Sequence, residues 1–261
     1  MKPIISIVAL LAVTSLLLVP VVTVYANTSL PMTGSQWAIL ELFGSKIKTS
    51  HANTVPTGGV EFLFPDATAT PAGFANLMTN GFTASLTTSN TLTATIKVLT
   101  SSSSTMFAGN PNGGCPASAP NNCPGSVRLY FTSNLPQAGM SSCLGLNGNS
   151  QHAVVANEFD YWWSNNQVPA TTVSPGGYYQ FSPTGGGSNG PITLQVSLNP
   201  MNWSDLCGHP GTFDLAAFMA SISNIKDVGL SFGSGFFFEN GVGVDGATGS
   251  ATFQLTSYTI S

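Results

Sequence analysis

An all-β fold, an antiparallel two-sheet β-sandwich with one or two short helices, is what this sequence predicts. Three observations carry that expectation. Apolar residues recur with a period of two in many short segments, and Gly, Pro, Asn and Ser separate those segments. Only one stretch shows a sustained helical period.

The N-terminus comes first because it bears on where the folded domain begins. Met1-Lys2 supplies a positive start and Ile4 to Val22 form an uncharged apolar run, the pattern of an export signal. Pro20 interrupts the run, and Val24-Tyr25-Ala26 places small residues where a signal peptidase cuts. Residues 1–26 are therefore expected to be a signal peptide, leaving Asn27 first; an uncleaved anchor is the alternative. Residues 27–261 are expected to form a single β-sandwich domain, since 235 residues suffice for one large core and no linker forces a split.

In order along that domain, "VEFLF" (60–64) and "FTASLTT" (82–88) read as strands, with "PAGFANLM" (71–78) between them as a turn of helix. "TLTATIKVLT" (91–100) places Leu92, Ala94, Ile96 and Val98 on one face and Thr91, Thr93, Thr95 and Lys97 on the other. "SVRLYFT" repeats the alternation with Val127, Leu129 and Phe131. "PITLQVSL" does so with Ile192, Leu194, Val196 and Leu198. "AVVANEFDYWW", "GYYQF", "DVGLSF", "GFFF" and "SATFQLTSYTI" complete about ten strands. "TFDLAAFMASI" puts Leu215, Phe218, Met219 and Ile222 at helical spacing behind a start signal, Thr212 or Asp214.

Only 6% of the residues are charged, and without Lys2 five basic side chains face ten acidic ones. Phosphate neutralisation needs clustered Lys and Arg, so nucleic acid is not expected as a partner. Polar faces here are built from Ser, Thr, Asn and Gly. The four cysteines, an even number in an exported chain, are expected to be paired. Of three connectivities, Cys115–Cys123 with Cys143–Cys207 is favoured, because the first closes the loop "CPASAPNNCPG". Zinc is the rival, disfavoured by the spacing and by the presence of only three histidines, His51, His152 and His209, each expected to cap or pack.

The C-terminal quarter, "FMASISNIKDVGLSFGSGFFFENGVGVDGATGSATFQLTSYTIS", with looser support from "SVRLYF" and "YWWS", resembles the closing segment of jelly-roll domains of the carbohydrate-binding-module, galactose-binding-like type. The resemblance implies a two-sheet jelly roll that works on or beside polysaccharides, in some cases with a structural calcium. It does not identify a ligand.

The candidate site is "EFDYWWSNNQ" (158–167). On a regular strand Phe159, Tyr161 and Trp163 share one face, read as core, while Glu158, Asp160 and Trp162 share the other. An indole stacks on the apolar face of a pyranose and carboxylates accept from its hydroxyls. Tyr178, Tyr179 and Trp203 are candidates to extend this platform. The alternative is that these rings pack under loops or at sandwich edges without touching ligand.

Other constellations are weaker. Glu158 with Asp160, or with Glu239, are carboxylate pairs of the kind glycosidases need. Glu239, Asn240, Asp227 and Asp245 are oxygen ligands for a calcium ion, without EF-hand order, so a glycine-built turn is the blander reading. Asn27 and Asn202 head glycosylation sequons. No nucleophile elbow, phosphate loop or dinucleotide fingerprint occurs.

These readings converge on a secreted, non-catalytic carbohydrate-binding protein, extracellular or at the cell surface, without stable membrane insertion once the signal is cut. The alternatives are a structural or surface-layer component and a glycan-cleaving jelly roll.

Overall fold

A computed structural model describes residues 27–43, 46–66, 72–109, 125–133, 161–182, 185–188, 190–205, 208–233 and 241–261. The expected signal segment lies outside them, as do Cys115, Cys123, Cys143 and Cys207 and the site candidates Glu158, Asp160, Glu239 and Asn240.

In chain order the strands are β1 (Thr28–Ser29), β2 (Trp37–Phe43), β3 (Lys46–His51), β4 (Asn53–Thr54), β5 (Val60–Leu63), β6 (Ala72–Thr79), β7 (Thr91–Thr100) and β8 (Phe107–Gly109). They continue as β9 (Ser126–Ser133), β10 (Tyr161–Ser164), β11 (Tyr178–Gln180), β12 (Ile192–Ser197), β13 (Trp203–Asp205), β14 (Ile225–Gly233), β15 (Val242–Val244) and β16 (Ala251–Ile260). One α-helix, α1 (Leu215–Ile222), lies between β13 and β14.

Two antiparallel sheets result. The smaller runs β12-β7-β16-β5-β4, with β1 also paired to β16. The larger runs β13-β10-β9-β14-β6-β15-β8, with β11 beside β9 and with β2 and β3 extending from β6. The expected all-β antiparallel sandwich is what forms, as two open sheets packed face to face and not as a closed barrel. Its core contains the alternating set read from the sequence: Leu92, Ala94, Ile96 and Val98 of β7 and Val127, Leu129 and Phe131 of β9 belong to one buried cluster with almost no exposure. An aromatic seam of Phe62, Phe64, Phe107, Phe181, Phe232 and Phe253 fills one end of it, the rings meeting edge-on or stacked at 5.0–6.3 Å.

Three elements differ from expectation. "PAGFANLM", read as a turn of helix, supplies most of β6, held on both sides: Leu77 pairs with Ile39 of β2 and with Leu230 of β14. Two ladders of backbone hydrogen bonds outweigh weak helical propensity in a segment this short. "FTASLTT", read as a strand, makes only an isolated bridge, Ala84 to Ile225. In α1, Phe218 and Ile222 are buried as expected, but Leu215 and Met219 are exposed, so the inward stripe is narrower than the periodicity implied. Among the described residues no helix is long and apolar enough to cross a membrane.

Candidate functional site

The aromatic doublet is inverted relative to the expectation from alternation. Trp162, expected outward, is 2% exposed and faces the core. Its ring lies parallel to Phe131 at 6.4 Å and edge-on to Phe218 at 5.0 Å. The physical reason is register. Trp162 is directly opposite Phe131, and cross-strand partners share a face, so the inward set of β9 drags Trp162 inward with it. Trp163 then points to the far side of the larger sheet, opposite Tyr130, and is buried there as well.

Trp203 is also core and not platform: it is fully buried, edge-on to Phe131 at 5.0 Å, and its indole N–H donates to the Ser197 carbonyl at 2.9 Å. Tyr179 faces inward across from Val127 and packs edge-on against Phe181 at 5.5 Å, and burial raises the pKa of its hydroxyl. Of the proposed rings only Tyr178 stands on the outer side of the larger sheet, half-buried. The Arg128 guanidinium lies 4.6 Å from the centre of that ring. Arg128 is itself buried and donates from Nη1 to the carbonyls of Ser164 and Asn166 at 2.9 and 3.1 Å. Desolvation lowers its pKa to about 10. These contacts make Arg128 a tie between β9 and the chain that follows β10.

Of the calcium set, Glu239 and Asn240 lie outside the described residues, and the two described members, Asp227 and Asp245, belong to different ends of β14. Asp227 stands near the start of β14, where its Oδ1 accepts from Thr79 Oγ1 at 3.3 Å. Asp245 follows β15, which connects to the opposite end of β14 through the Gly241 N–H bond to Phe232. The Asp245 carboxylate caps its own turn, accepting from Ala247 N at 3.0 Å, in line with the blander turn reading. Among the described residues no group of three or more His, Cys, Asp or Glu is placed to hold a metal ion. The Asn202 sequon is folded in: the side chain of Asn202 donates to Ser197 Oγ, and Trp203 and Ser204 are buried.

A site that sequence reasoning did not single out lies where β13 runs into α1. After Asp205 the chain turns sharply, with Gly208 at φ +80°, a left-handed conformation that glycine adopts without steric cost. His209 N donates to Asp205 Oδ1 at 2.8 Å, Asp205 N donates to the His209 carbonyl at 2.9 Å, and His209 Nδ1 lies 3.4 Å from Asp205 Oδ2. This holds the imidazole flat against Phe213, with ring centres 4.3 Å apart and planes 18° from parallel. Phe213 is 72% exposed, the most open Phe, Tyr or Trp ring among the described side chains. Phe213 is pinned because its N–H donates to the Pro210 carbonyl and because Asp214, the next residue, caps α1. The signal available in the sequence was "DLCGHPGTFD": a Gly- and Pro-rich loop carrying one imidazole and one ring immediately before a helix cap.

The corner thus offers an open ring face and a ring nitrogen (Nε2) on the imidazole edge away from Asp205, whose own carboxylate is buried and holds His209 in place. That arrangement can stack on an apolar surface and hydrogen-bond at its margin. Comparison with protein-family models, with curated proteins and with solved structures gives no match.

Proposed function

We propose that this protein is a secreted, non-catalytic carbohydrate-binding sandwich whose sugar contact is the Asp205–His209–Phe213 corner. The observation that carries the reading is the exposed Phe213 ring backed by His209 in a chain with so little surface charge. A solvated ring held in one orientation by its neighbours can stack on an apolar surface, and the C–H face of a pyranose is such a surface. His209 Nε2 then serves a hydroxyl at the ring's edge, with the buried Asp205 carboxylate orienting the imidazole from its Nδ1 side. The resemblance of the C-terminal segment to jelly-roll carbohydrate-binding modules points the same way.

The test is retention on a panel of insoluble polysaccharides by the protein and by its Phe213→Ala variant. The expected result is retention on at least one glycan, weakened roughly tenfold or more in the variant, with an unchanged melting temperature because the ring is exposed. Undiminished retention by the variant would reject this corner, and no retention of the parent protein on any glycan would reject the reading itself.

A second reading, a structural or surface-layer component, is favoured by one specific observation. The outer face of the smaller sheet is a row structure of hydroxyl side chains with almost no charge.

A further inference from the structure

We propose that the outer face of the smaller sheet is a self-association surface whose partner is a second copy of this chain, related by a twofold axis running along β16. None of its residues belongs to the Asp205–His209–Phe213 corner.

The face is made of short neutral side chains. Thr91, Thr93 and Thr95 of β7 stand beside Ser197 and Thr193 of β12 and Thr259 of β16, in register across the strands. Among the described residues it carries no aromatic ring, so it lacks the platform a sugar ring stacks on. Short hydroxyl side chains instead permit the close, aligned stacking of one sheet on another.

Two departures from that neutrality decide the partner, and both are arranged about β16. Lys97, Gln254 and Glu61 form one cross-strand row with Gln254 in the middle. At about 4.8 Å per strand the charged residues stand roughly 10 Å apart, with Gln254 between them. Glu61 accepts from Gln254 Nε2 at 2.8 Å, and no ion pair of Lys97 occurs among the described residues. Two residues along the strands, Leu99, Thr252 and Leu63 form a second row, again with the β16 residue in the middle. Leu99 is 45% and Leu63 62% exposed, two of the few large apolar side chains left bare.

A twofold axis lying in the plane of contact, parallel to β16, exchanges the two flanks of each row. It sets Lys97 against the partner's Glu61 and Glu61 against the partner's Lys97. The same operation sets Leu99 against the partner's Leu63 and the reverse, while Gln254 and Thr252 meet their own counterparts. One operation therefore answers both the unpaired charge and the bare leucines, as an isologous interface requires. The strands of the face cover roughly 500 Å² of flat area at the strand dimensions of a sheet. That is near the lower end of specific interfaces, so the association is weak.

The test is sedimentation equilibrium of the full chain from micromolar to millimolar concentration. The parent protein is expected to associate reversibly into dimers. Lys97→Glu alone and Glu61→Lys alone should each raise the dissociation constant at least roughly tenfold, because each reversal turns two attractive contacts into repulsive ones. An equimolar mixture of the two single variants should associate again, since each supplies the charge the other lacks across the axis. Leu63→Asn gives a second, uncharged disruption, and unchanged circular dichroism and melting temperature establish that each variant is folded. A parent protein that stays monomeric, or a mixture that associates no better than its separate components, would overturn the proposal.

Discussion

Trp162 shows how one side chain takes its role from a neighbour on another strand. Within "NEFDYWWS" the alternation of side chains says that Trp162 and Trp163 point opposite ways, but nothing in the segment says which way is in. Three aromatics against one made the Phe159, Tyr161, Trp163 set look like the core. The register with β9 reverses this by placing Trp162 opposite Phe131. Truncation of Trp162 to Ala should therefore cost about 3–5 kcal/mol, as large-to-small changes in a packed core do. Chemical denaturation of the variant checks it, and a loss below about 1 kcal/mol would return Trp162 to the surface. Phe213 is the reverse case. Its exposure comes from a glycine-turned loop and a stacked imidazole, a constellation of three residue types too common to stand out in a sequence.

At the scale of elements, strands with strict alternation were legible and strands without it were not. β7, β9 and β12 interleave apolar with Thr, Ser, Arg or Gln, so both the element and its inner face could be read in advance. β2, "WAILELF", alternates poorly, and β6 hides behind Gly, Ala and Asn; both are strands because partners flank them. β16 has an irregularity between Leu255 and Ser257, so both Leu255 and Tyr258 face inward although they are three residues apart. The helix was legible because its start is chemical as well as periodic. Asp214 Oδ1 accepts from Ala217 N at 3.0 Å, which satisfies one of the free donors of the first turn. Asp214→Ala should lower stability by about 1 kcal/mol, measured by thermal or urea unfolding, while Asp214→Asn should restore most of it. Equal losses in both variants would show that the carboxylate acts in some way other than capping.

For the whole molecule, the alkaline limb of stability follows from two buried tyrosines set against one buried arginine. Tyr258 is fully buried, its hydroxyl has no hydrogen-bond partner, and desolvation raises its pKa far above the usual value; Tyr179 shifts in the same direction. Above a pH of about 10 the unfolded chain releases these protons and the native state keeps them, so stability falls as pH rises. Arg128 works the other way, since its pKa is lowered to about 10 from 12.5 and the native state sheds its proton first. Two tyrosines outweigh one arginine, and melting temperature should decline above that pH. Tyr258→Phe should flatten the decline by up to about 1.4 kcal/mol per pH unit. At neutral pH it should be at least as stable as the parent, because the buried hydroxyl it removes is unsatisfied. A melting curve that falls equally steeply in both proteins would contradict this assignment.

The sequence by itself determined the fold class, the alternating core of the long strands, the helix and its cap, and the scarcity of charge. Each of these is local: a period, a cap or a composition is complete within a short segment, and physical chemistry acts on it before any long-range contact exists. Only the tertiary structure decided which tryptophan faces inward, that Trp203 and Tyr179 belong to the core, and that Asp205, His209 and Phe213 stand together at an open corner. It also decided that Lys97 and Glu61 flank β16 in one row. These properties depend on which strand lies beside which and in what register, and a shift of one residue in that register would turn every side chain of a strand to the opposite face.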